Sequence, residues 1–402
     1  MKIGLLRETK NPPDKRVPLS PEQCAQVQDQ YPDVELVVQP SPIRKFQDSE
    51  YIACGVKLQE DLSDCDILIG VKEVKIDTLI ERKTYLFFSH TFKLQPYNAE
   101  LLRALLDRKI RLIDYEVIKA PSGRRLIGFG RYAGIVGCYN GFRTFGLKHN
   151  LYDLKPAHLC EDRKEMEGEL SKVKLPQDSK FVLTGFGRVG HGAREIMSLL
   201  PIKEVETEDF LSGEFSRPVF AHLDSKHYNA RKSDGGFDRK EFYADGTGYE
   251  SKFPQYCHKA DMYIACHYWA ENSPFLFTRE DMKDARWKTS VVADVSCDID
   301  GPVAATIKPS TIADPIYGYD RFSEKECDYD QEGSIAVMAV DNLPCELPKD
   351  ASTDFGNELI EHVLPHLLGN DSERIIEKAS ETDLEGKLMP DFAYLEDYAS
   401  KG

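Results

Sequence analysis

The sequence predicts an α/β protein of two domains, each built on a parallel β-sheet with helices on both faces. The chain has 402 residues, whereas a single domain usually holds roughly 100–200. Short apolar runs alternate with helical patterns along both halves of the chain, as they do where helices join parallel strands. A glycine-rich turn at 185–190 separates one such run from a helical segment.

The first third of the chain predicts five strands and two helices. Ser20, Pro21 and Gln23 mark a helix start, because serine caps the helix, proline suits its first position and glutamine completes a capping box. The second helix is predicted over 98–108. The five strands are predicted at 2–6, 34–38, 66–71, 84–88 and 111–115.

The rest of the chain repeats this alternation. A glycine-dotted segment at 128–150 predicts a long helix that connects the domains, since small residues on one side permit close packing. The acidic stretch 203–217 is interpreted as an insertion, and 354–368 predicts a C-terminal helix. Further strands are predicted at 181–184, 218–223, 261–266, 290–295 and 334–340.

Composition narrows the class of partner. A net charge of −16 repels phosphate backbones, so no nucleic-acid partner is expected. No run approaches the ~20 apolar residues of a membrane span, and no secretory signal is visible, so we expect a cytoplasmic protein without a membrane partner. The doublets Cys257-His258 and Cys266-His267 lack a second ligand pair at metal-binding spacing, so no metal site is predicted.

The segment GFGRVG (185–190) has the pattern G-x-G-x-x-G between a strand-like run and a helical one. In this context the first glycine allows a tight turn, the second lets a pyrophosphate approach, and the third lets helix pack on strand. A dinucleotide is therefore the predicted cofactor. Its predicted ligands in the turn are Gly185, Gly187, Arg188, Val189 and Gly190.

The strand at 218–223 ends at Asp224, where a carboxylate can accept a hydrogen bond from the ribose 2′-hydroxyl of NAD. Ser225, Lys226 and Arg231 follow closely, and such side chains can instead bind the 2′-phosphate of NADP. We predict NAD, with NADP as the open alternative, and cofactor contacts from Asp224, Ser225 and Lys226.

Ionisable side chains follow four predicted strands of the first domain. They are Lys10 and Arg16 after 2–6, Lys72 and Glu73 after 66–71, His90 after 84–88, and Glu116 after 111–115. Because ligands of open parallel sheets bind at the carboxyl ends of the strands, we expect a catalytic cleft at this edge.

These residue types suit hydride transfer at a carbon that bears nitrogen. Such chemistry needs a base for an amine or a water molecule and cations for substrate carboxylates. Burial and the neighbouring Glu73 can tune the pKa of Lys72, and histidine titrates near neutrality, which suits acid–base work at His90. Arg16 and Arg125 can each bind a carboxylate through two hydrogen bonds.

Several motifs together resemble the alanine dehydrogenase/transhydrogenase/saccharopine dehydrogenase superfamily, over nearly the whole chain. The opening residues 6–23 and GVKE (70–73) look like its N-terminal signature. The lysine-handling, saccharopine-forming branch is the most similar. Its motifs here are FFSHTFK (87–93), LIDYE (112–116), GRRLIGFGRYAG (123–134), ADVSCDIDG (293–301), STIADP (310–315) and AVDNLPCELPKDAS (339–352). Two further segments look like the lysine-ketoglutarate reductase half of bifunctional enzymes, namely SKHYNARKSDGGFD (225–238) and YWAENSPFLFTRED (268–281).

The resemblance implies two Rossmann-like domains with parallel sheets and the active site in the cleft between them. Residues 1–130 plus 345–402 would form a discontinuous substrate and catalytic domain, and 131–344 the dinucleotide-binding domain. It also implies roles for individual residues. Lys72 and His90 would be the acid–base pair, Glu73 and Glu116 would tune them, Lys10, Arg16 and Arg125 would bind substrate carboxylates, and Asp341 would lie near the nicotinamide.

The implied function is NAD(P)-dependent interconversion of saccharopine with L-lysine and 2-oxoglutarate, by hydride transfer at a C–N bond. The segments SHTFK (89–93) and DVSCDIDG (294–301) differ from the alanine dehydrogenase patterns, which counts against alanine as substrate. An alanine, opine or other amino-acid dehydrogenase remains the alternative enzyme, and a nucleotide-binding sensor the alternative from another class. Direction and oligomeric state are left open.

Overall fold

The computed structural model describes residues 1–401 and divides into two compact units. Unit 1 comprises Met1–Phe129 and the segment that starts at Pro348, and unit 2 comprises Gly130–Leu347. The sequence placed these divisions at 130/131 and 344/345. Each unit contains a sheet of mainly parallel strands, which confirms the predicted α/β class. Within the described range, no helix has both the length and the apolar character needed to cross a bilayer.

The sheet of unit 1 has six parallel strands in the order β3-β2-β1-β4-β5-β6. Five of them fall within the predicted runs. The exception is β3, whose two residues are too short to show an alternating pattern. The strands are β1 (Lys2–Leu5), β2 (Glu35–Val38), β3 (Lys57–Leu58), β4 (Ile67–Ile69), β5 (Thr84–Phe87) and β6 (Arg111–Asp114).

Helices cover this sheet on both faces. At the start of α1 the Ser20 hydroxyl accepts the Gln23 N–H while the Gln23 side chain accepts the Ser20 N–H, as the capping-box pattern predicted. Leu101 and Leu105 of α3 pack with Tyr85 on one face of the sheet. The helices of this part of the chain are α1 (Pro21–Gln30), α2 (Asp48–Ala53) and α3 (Ala99–Asp107).

Unit 2 contains an eight-stranded sheet in the order β15-β14-β16-β13-β12-β7-β9-β8, and a two-stranded ribbon, β10-β11. The sequence did not predict the hairpin β14-β15, which lies antiparallel at the edge of the sheet. The strands are β7 (Lys180–Thr184), β8 (Lys203–Glu204), β9 (Val219–Leu223), β10 (Asn229–Arg231), β11 (Tyr249–Ser251), β12 (Met262–Ala265), β13 (Val291–Asp294), β14 (Ile316–Asp320), β15 (Lys325–Cys327) and β16 (Ile335–Met338).

The helices of unit 2 start at the division between the units. The helix α4, which the sequence predicted over 128–150 as a connection between the domains, begins at Gly130, the first residue of unit 2. The acidic stretch 203–217 holds the edge strand β8 and the helix α7. The helices are α4 (Gly130–Lys148), α5 (Arg163–Glu169), α6 (Arg188–Leu199), α7 (Thr207–Ser212), α8 (Ser225–Tyr228), α9 (Arg239–Ala244) and α10 (Pro254–Cys257).

The C-terminal segment completes the core of unit 1. Phe355, Leu359 and Val363 pack with Ile69 and Leu86 on the second face of the sheet. The predicted helix at 354–368 begins earlier, at Pro348, and a π-helical turn interrupts it. Its elements are α11 (Pro348–Glu358), the π turn Leu359–Val363, α12 (Leu364–Leu368), α13 (Ile375–Lys378) and α14 (Glu396–Lys401).

The close contact between α4 and α6 depends on a glycine. A Cβ added at Gly134 would lie 1.8 Å from the Val189 carbonyl oxygen, so Gly134→Ala must push the two helices apart. We expect a free-energy cost of about 1–3 kcal/mol and a lower melting temperature by calorimetry. In Gly168→Ala, where an added Cβ meets nothing within 4 Å, the melting temperature should stay the same or rise. Equal melting temperatures for the two variants would contradict this packing.

Candidate active site

Charged side chains meet at the carboxyl edge of the unit 1 sheet. Glu73, after β4, accepts a hydrogen bond from Lys10 Nζ at 2.8 Å, and its other oxygen lies 2.7 Å from His90 Nδ1. His90 follows β5, and its Nε2 lies 4.0 Å from Glu116 Oε2. These contacts occur because β1, β4, β5 and β6 are neighbours and their ends lie at one edge.

Two further cations extend this arrangement. Glu116 Oε1 lies 2.7 Å from Lys93 Nζ and 3.5 Å from Arg125 Nη1. The Arg125 guanidinium also lies 5.5 Å from the centre of the Phe88 ring. The result is a continuous series of ion pairs and hydrogen bonds, here called the ion-pair chain. Its members are Lys10, Glu73, His90, Glu116, Lys93 and Arg125.

The protonation state of Glu73 decides which ring nitrogen of His90 carries the hydrogen. Burial favours the neutral acid, but hydrogen bonds from His90 and Lys10 lower the pKa of Glu73 to about 2. Glu73 is therefore a carboxylate near neutral pH and can only accept hydrogen bonds. His90 Nδ1 must then carry the hydrogen, so that Nε2 is the nitrogen available for proton transfer on the side of Glu116.

Lys72 lies at the same edge and is half-buried. Its backbone N–H donates to Glu8 Oε2 at 2.9 Å, and the neighbouring Val71 N–H donates to Glu8 Oε1 at 2.7 Å. Burial, reinforced by the positive charge of Arg16, lowers the pKa of the Lys72 ammonium. A lysine in this environment loses its proton more readily than one in water, which suits it to acid–base work.

The carboxyl of Glu8 is one of the groups that sequence reasoning missed. It is buried, and burial together with the charge of Asp14 raises its pKa to about 7. Glu8 and Lys72 both line a cavity of about 170 Å³. The only signal for Glu8 was its place just after β1, inside the motif at 6–23.

Arg16 is placed differently from the ion-pair chain. Its Nη2 lies 2.6 Å from Asp14 Oδ2 and its Nε 3.0 Å from Asp14 Oδ1, and the side chain is only 3% exposed. The guanidinium also lies 4.2 Å from the centre of the Phe129 ring. Asp14 was missed because it lies in a loop without a periodic pattern, so that nothing in the sequence tied it to Arg16. Direct substrate binding by Arg16 stays a prediction.

The glycine turn of unit 2 has the geometry of an anion cradle. Gly185 has φ +96°, and an added Cβ would lie 2.2 Å from the Cys266 carbonyl oxygen; a Cβ at Gly190 would lie 1.8 Å from the Gly185 carbonyl oxygen. A Cβ at Gly187 would meet nothing within 4 Å. The first and third glycines are thus required by the fold, while the second leaves open space at the N-terminus of α6.

This turn opens into a pocket of about 530 Å³. Asp224 caps α8 at the end of β9, and its carboxylate is paired with the Arg239 guanidinium and accepts the Ser225 hydroxyl at 3.0 Å. Burial opposes ionisation, but these hydrogen bonds lower the pKa of Asp224. The lining residues are Gly185, Phe186, Gly187, Arg188, Val189, Asp224, Ser225, Tyr228, Arg239, Tyr243, Cys266, His267 and Tyr268.

The pocket fits a dinucleotide, because a helix N-terminus for phosphate and a carboxylate for ribose line the same space. Lys226 and Asp341 are exposed and are not among the described residues that line it, so their cofactor contacts stay predictions. Sequence reasoning missed Arg239, since nothing in its spacing ties it to Asp224, and Lys93, although it lies within a quoted motif.

In the described part of the chain, residues 1–401, no group of three or more His, Cys, Asp or Glu side chains could hold a metal ion. Cys257 and Cys266 are buried, and the Cys257 side chain packs in the core of unit 2. His267 sits beside the Tyr263 and Thr184 hydroxyls, each 3.3 Å from its Nδ1.

The open space at Gly187 allows binding to be separated from folding. We expect Gly187→Ala to leave the melting temperature unchanged, because its Cβ meets no protein atom, and to weaken NADH binding at least tenfold, or about 1.4 kcal/mol, because the methyl group occupies the space of the pyrophosphate. Isothermal titration calorimetry measures the affinity, with Gly168→Ala as the control. Wild-type affinity in Gly187→Ala would argue against a pyrophosphate at this turn.

Comparisons with known proteins identify the family of the chain. Residues 4–136 match the family model of the alanine dehydrogenase/PNT N-terminal domain, and residues 170–385 match that of the C-terminal domain. In solved structures, an L-alanine dehydrogenase covers 100% of this chain and 99% of its own, with a TM-score of 0.68 at 17% identity. A transhydrogenase from Sinorhizobium meliloti covers 97% and 99%, with a TM-score of 0.60 at 12% identity. At these identities the likeness concerns the fold.

Two relatives are similar in sequence. The mitochondrial alpha-aminoadipic semialdehyde synthase of Mus musculus is 31% identical over 92% of this chain, which spans only 44% of that relative's length. The saccharopine dehydrogenase [NAD(+), L-lysine-forming] of Yarrowia lipolytica is 24% identical over 90% of this chain and 92% of its own. Both domain models together with these likenesses settle the family. The chain belongs to the alanine dehydrogenase/PNT family, a family of nicotinamide-dinucleotide-dependent oxidoreductases.

Proposed function

We propose that the chain interconverts saccharopine with L-lysine and 2-oxoglutarate, with NAD as the hydride carrier. The observation that carries the proposal is the ion-pair chain together with the neighbouring, half-buried Lys72. Two acid–base groups, Lys72 and His90, lie at the same sheet edge as three cations. The cations are Lys10, Lys93 and Arg125. The Yarrowia lipolytica relative, which aligns with almost the whole chain, is an NAD(+)-dependent, L-lysine-forming saccharopine dehydrogenase. Support thus comes from both chemistry and likeness.

The proposed reaction makes and breaks one C–N bond. Oxidation of the secondary amine of saccharopine gives an imine; water then adds, and cleavage of the C–N bond releases lysine and 2-oxoglutarate. The nicotinamide, when bound, accepts the hydride. Lys72 is proposed to take the proton of the secondary amine, for which a lowered pKa suits it. His90, with its Nδ1 held by Glu73, is proposed to move protons through Nε2 to and from the adding water.

The cations of the ion-pair chain fit a substrate with several carboxylates. Saccharopine carries three, and the exposed fractions of Lys10, Lys93 and Arg125 are 39%, 39% and 36%. Each is held by a carboxylate partner, Glu73 or Glu116, so that its position is set before substrate binds. Arg16 is proposed to act chiefly through Lys72, whose pKa it lowers.

NAD is the proposed cofactor because Asp224 lines the nucleotide pocket at the end of β9. A carboxylate there accepts a ribose 2′-hydroxyl and repels a 2′-phosphate. Arg239 neutralises part of that charge, which keeps NADP as the alternative. Comparing the KM values for NADH and NADPH decides between them: a lower KM for NADPH would contradict the role given to Asp224.

The function is tested by following absorbance at 340 nm in the presence of NADH or NADPH. Oxidation of the coenzyme should require lysine and 2-oxoglutarate together, and pyruvate with ammonia, run in parallel, should be inactive. Oxidation with pyruvate and ammonia alone would move the chain to the alanine branch of the family. No oxidation with either pair would contradict both assignments.

Arg125 is expected to bind a substrate carboxylate, so Arg125→Ala should raise the KM for 2-oxoglutarate roughly tenfold or more, because a charge-assisted hydrogen-bonded pair is lost. Steady-state kinetics measure it. The matched control is Arg124→Ala, which removes an exposed arginine one residue away and should leave the KM unchanged. If both variants keep the wild-type KM, Arg125 has been assigned wrongly.

A further inference from the structure

Two buried carboxyl groups lie beneath the ion-pair chain and have no part in the chemistry described above. Asp114 ends β6, and Glu381 comes from the C-terminal segment; both are completely buried. Glu381 is held against the sheet, because its backbone N–H donates to the Leu112 carbonyl at 2.8 Å. Two acids in one buried site require a reason, since each is costly to desolvate.

The two carboxyl groups form hydrogen bonds with the residues on either side of His90, Ser89 and Thr91. The Ser89 N–H and hydroxyl donate to Asp114 Oδ2 at 2.7 and 2.6 Å. The Thr91 hydroxyl lies 2.6 Å from Glu381 Oε2, and the Ser89 hydroxyl also lies 3.3 Å from Glu381 Oε1. Ser89 and Thr91 are in turn hydrogen-bonded to each other through their hydroxyls. Hydrogen bonds to the two buried carboxyl groups thus hold both residues that flank His90.

His90 needs such support, because its backbone has φ +57° and ψ +10°, in the left-handed region. A residue other than glycine is strained there and keeps the conformation only when its surroundings enforce it. The left-handed turn directs the imidazole to Glu73, with Nδ1 2.7 Å from the Glu73 carboxylate. A relaxed turn would move the imidazole away from this partner.

Asp114 also holds the backbone of Glu116, which lies next to His90. Its Oδ1 accepts the Glu116 backbone N–H at 2.6 Å, while its Oδ2 accepts the Ser89 groups. One carboxylate therefore ties together the two strand ends that carry His90 and Glu116, whose side chains lie 4.0 Å apart.

We propose that Asp114 and Glu381 form a buried carboxyl pair that positions His90 and Glu116 through Ser89 and Thr91, and that Glu381 is a positioning residue supplied by the C-terminal segment. The catalytic consequence rests on the function proposed for His90, whereas the positioning itself rests on the contacts alone.

Asp114 and Glu381 can be buried side by side because one of the two carboxyl groups keeps its proton. Burial and mutual repulsion raise the pKa of Glu381 to about 8, and burial also raises that of Asp114. Asp114 accepts three hydrogen bonds from N–H and O–H donors, so it is the better place for the negative charge, and Glu381 holds the proton. A neutral carboxyl both donates and accepts, as an amide does.

This assignment separates two substitutions at position 381. Glu381→Gln retains a donor and an acceptor at nearly the same volume, and should keep kcat within about threefold of wild type. Glu381→Leu removes both and should lower kcat tenfold or more. The KM for 2-oxoglutarate should change less than twofold, because Asp114 still accepts the Glu116 N–H and Glu116 still pairs with the cations Lys93 and Arg125. Glu385→Leu, at an exposed position of the same segment, is the control.

A second readout does not depend on activity. In protein labelled with ¹³C at histidine Cε1, a proton–carbon correlation spectrum reports the surroundings of the imidazoles, and His90→Gln assigns the His90 signal. That signal should move in Glu381→Leu and stay in place in Glu381→Gln and Glu385→Leu. This spectrum tests the positioning even if the chain proves inactive with lysine and 2-oxoglutarate, which would overturn the proposed function alone.

The proposal is overturned if the His90 signal and kcat of Glu381→Leu match those of wild type, or if Glu381→Gln is as impaired as Glu381→Leu. Should Glu381→Leu fail to fold, Thr91→Val replaces it, since valine keeps the shape of threonine and removes the hydroxyl that meets Glu381. Its His90 signal should also move, and an unmoved signal would count against the proposal in the same way.

Discussion

The site of unit 1 depends on one constraint: four neighbouring parallel strands end at a single edge, and the charges that follow them must compensate one another. Isolated charges at a half-buried edge would be costly or would change protonation state. Pairing removes this cost, because Lys10 and His90 each meet the Glu73 carboxylate, and Glu116 meets Lys93. The same contacts keep Glu73 ionised, and an ionised Glu73 requires the hydrogen of His90 to be on Nδ1.

The C-terminal segment returns to unit 1 for two physical reasons. Its apolar residues, among them Phe355, cover a face of the sheet that the first 129 residues leave incomplete. Its Glu381 carboxyl meets the hydroxyls of Ser89 and Thr91, the residues that flank His90. A segment that only packed on the sheet would have no need of a buried carboxyl. Core packing and placement of the reactive histidine are thus combined in one stretch of chain.

Sequence patterns predicted the features that are local. Strand periodicity, the capping box at Ser20 and the glycine turn at 185–190 each depend on residues a few positions apart, and each is found in the structure. Features that depend on more distant pairings were missed: the partnership of Glu381 with Ser89 joins positions 292 residues apart, and that of Arg239 with Asp224 joins positions 15 residues apart, with β10 between them. The edge strands β8 and β15 are too short for any periodicity to show.

In the proposed reaction, hydride reaches the carbon that joins lysine to 2-oxoglutarate. The most direct test of this step uses lysine labelled with ¹⁵N in the side-chain amine, 2-oxoglutarate and NADH deuterated at the transferred position, with mass spectrometry of the product. We expect a single product that carries both the ¹⁵N and one deuterium on the former keto carbon of 2-oxoglutarate. Deuterium in alanine or glutamate, or in no amino-acid product, would contradict it.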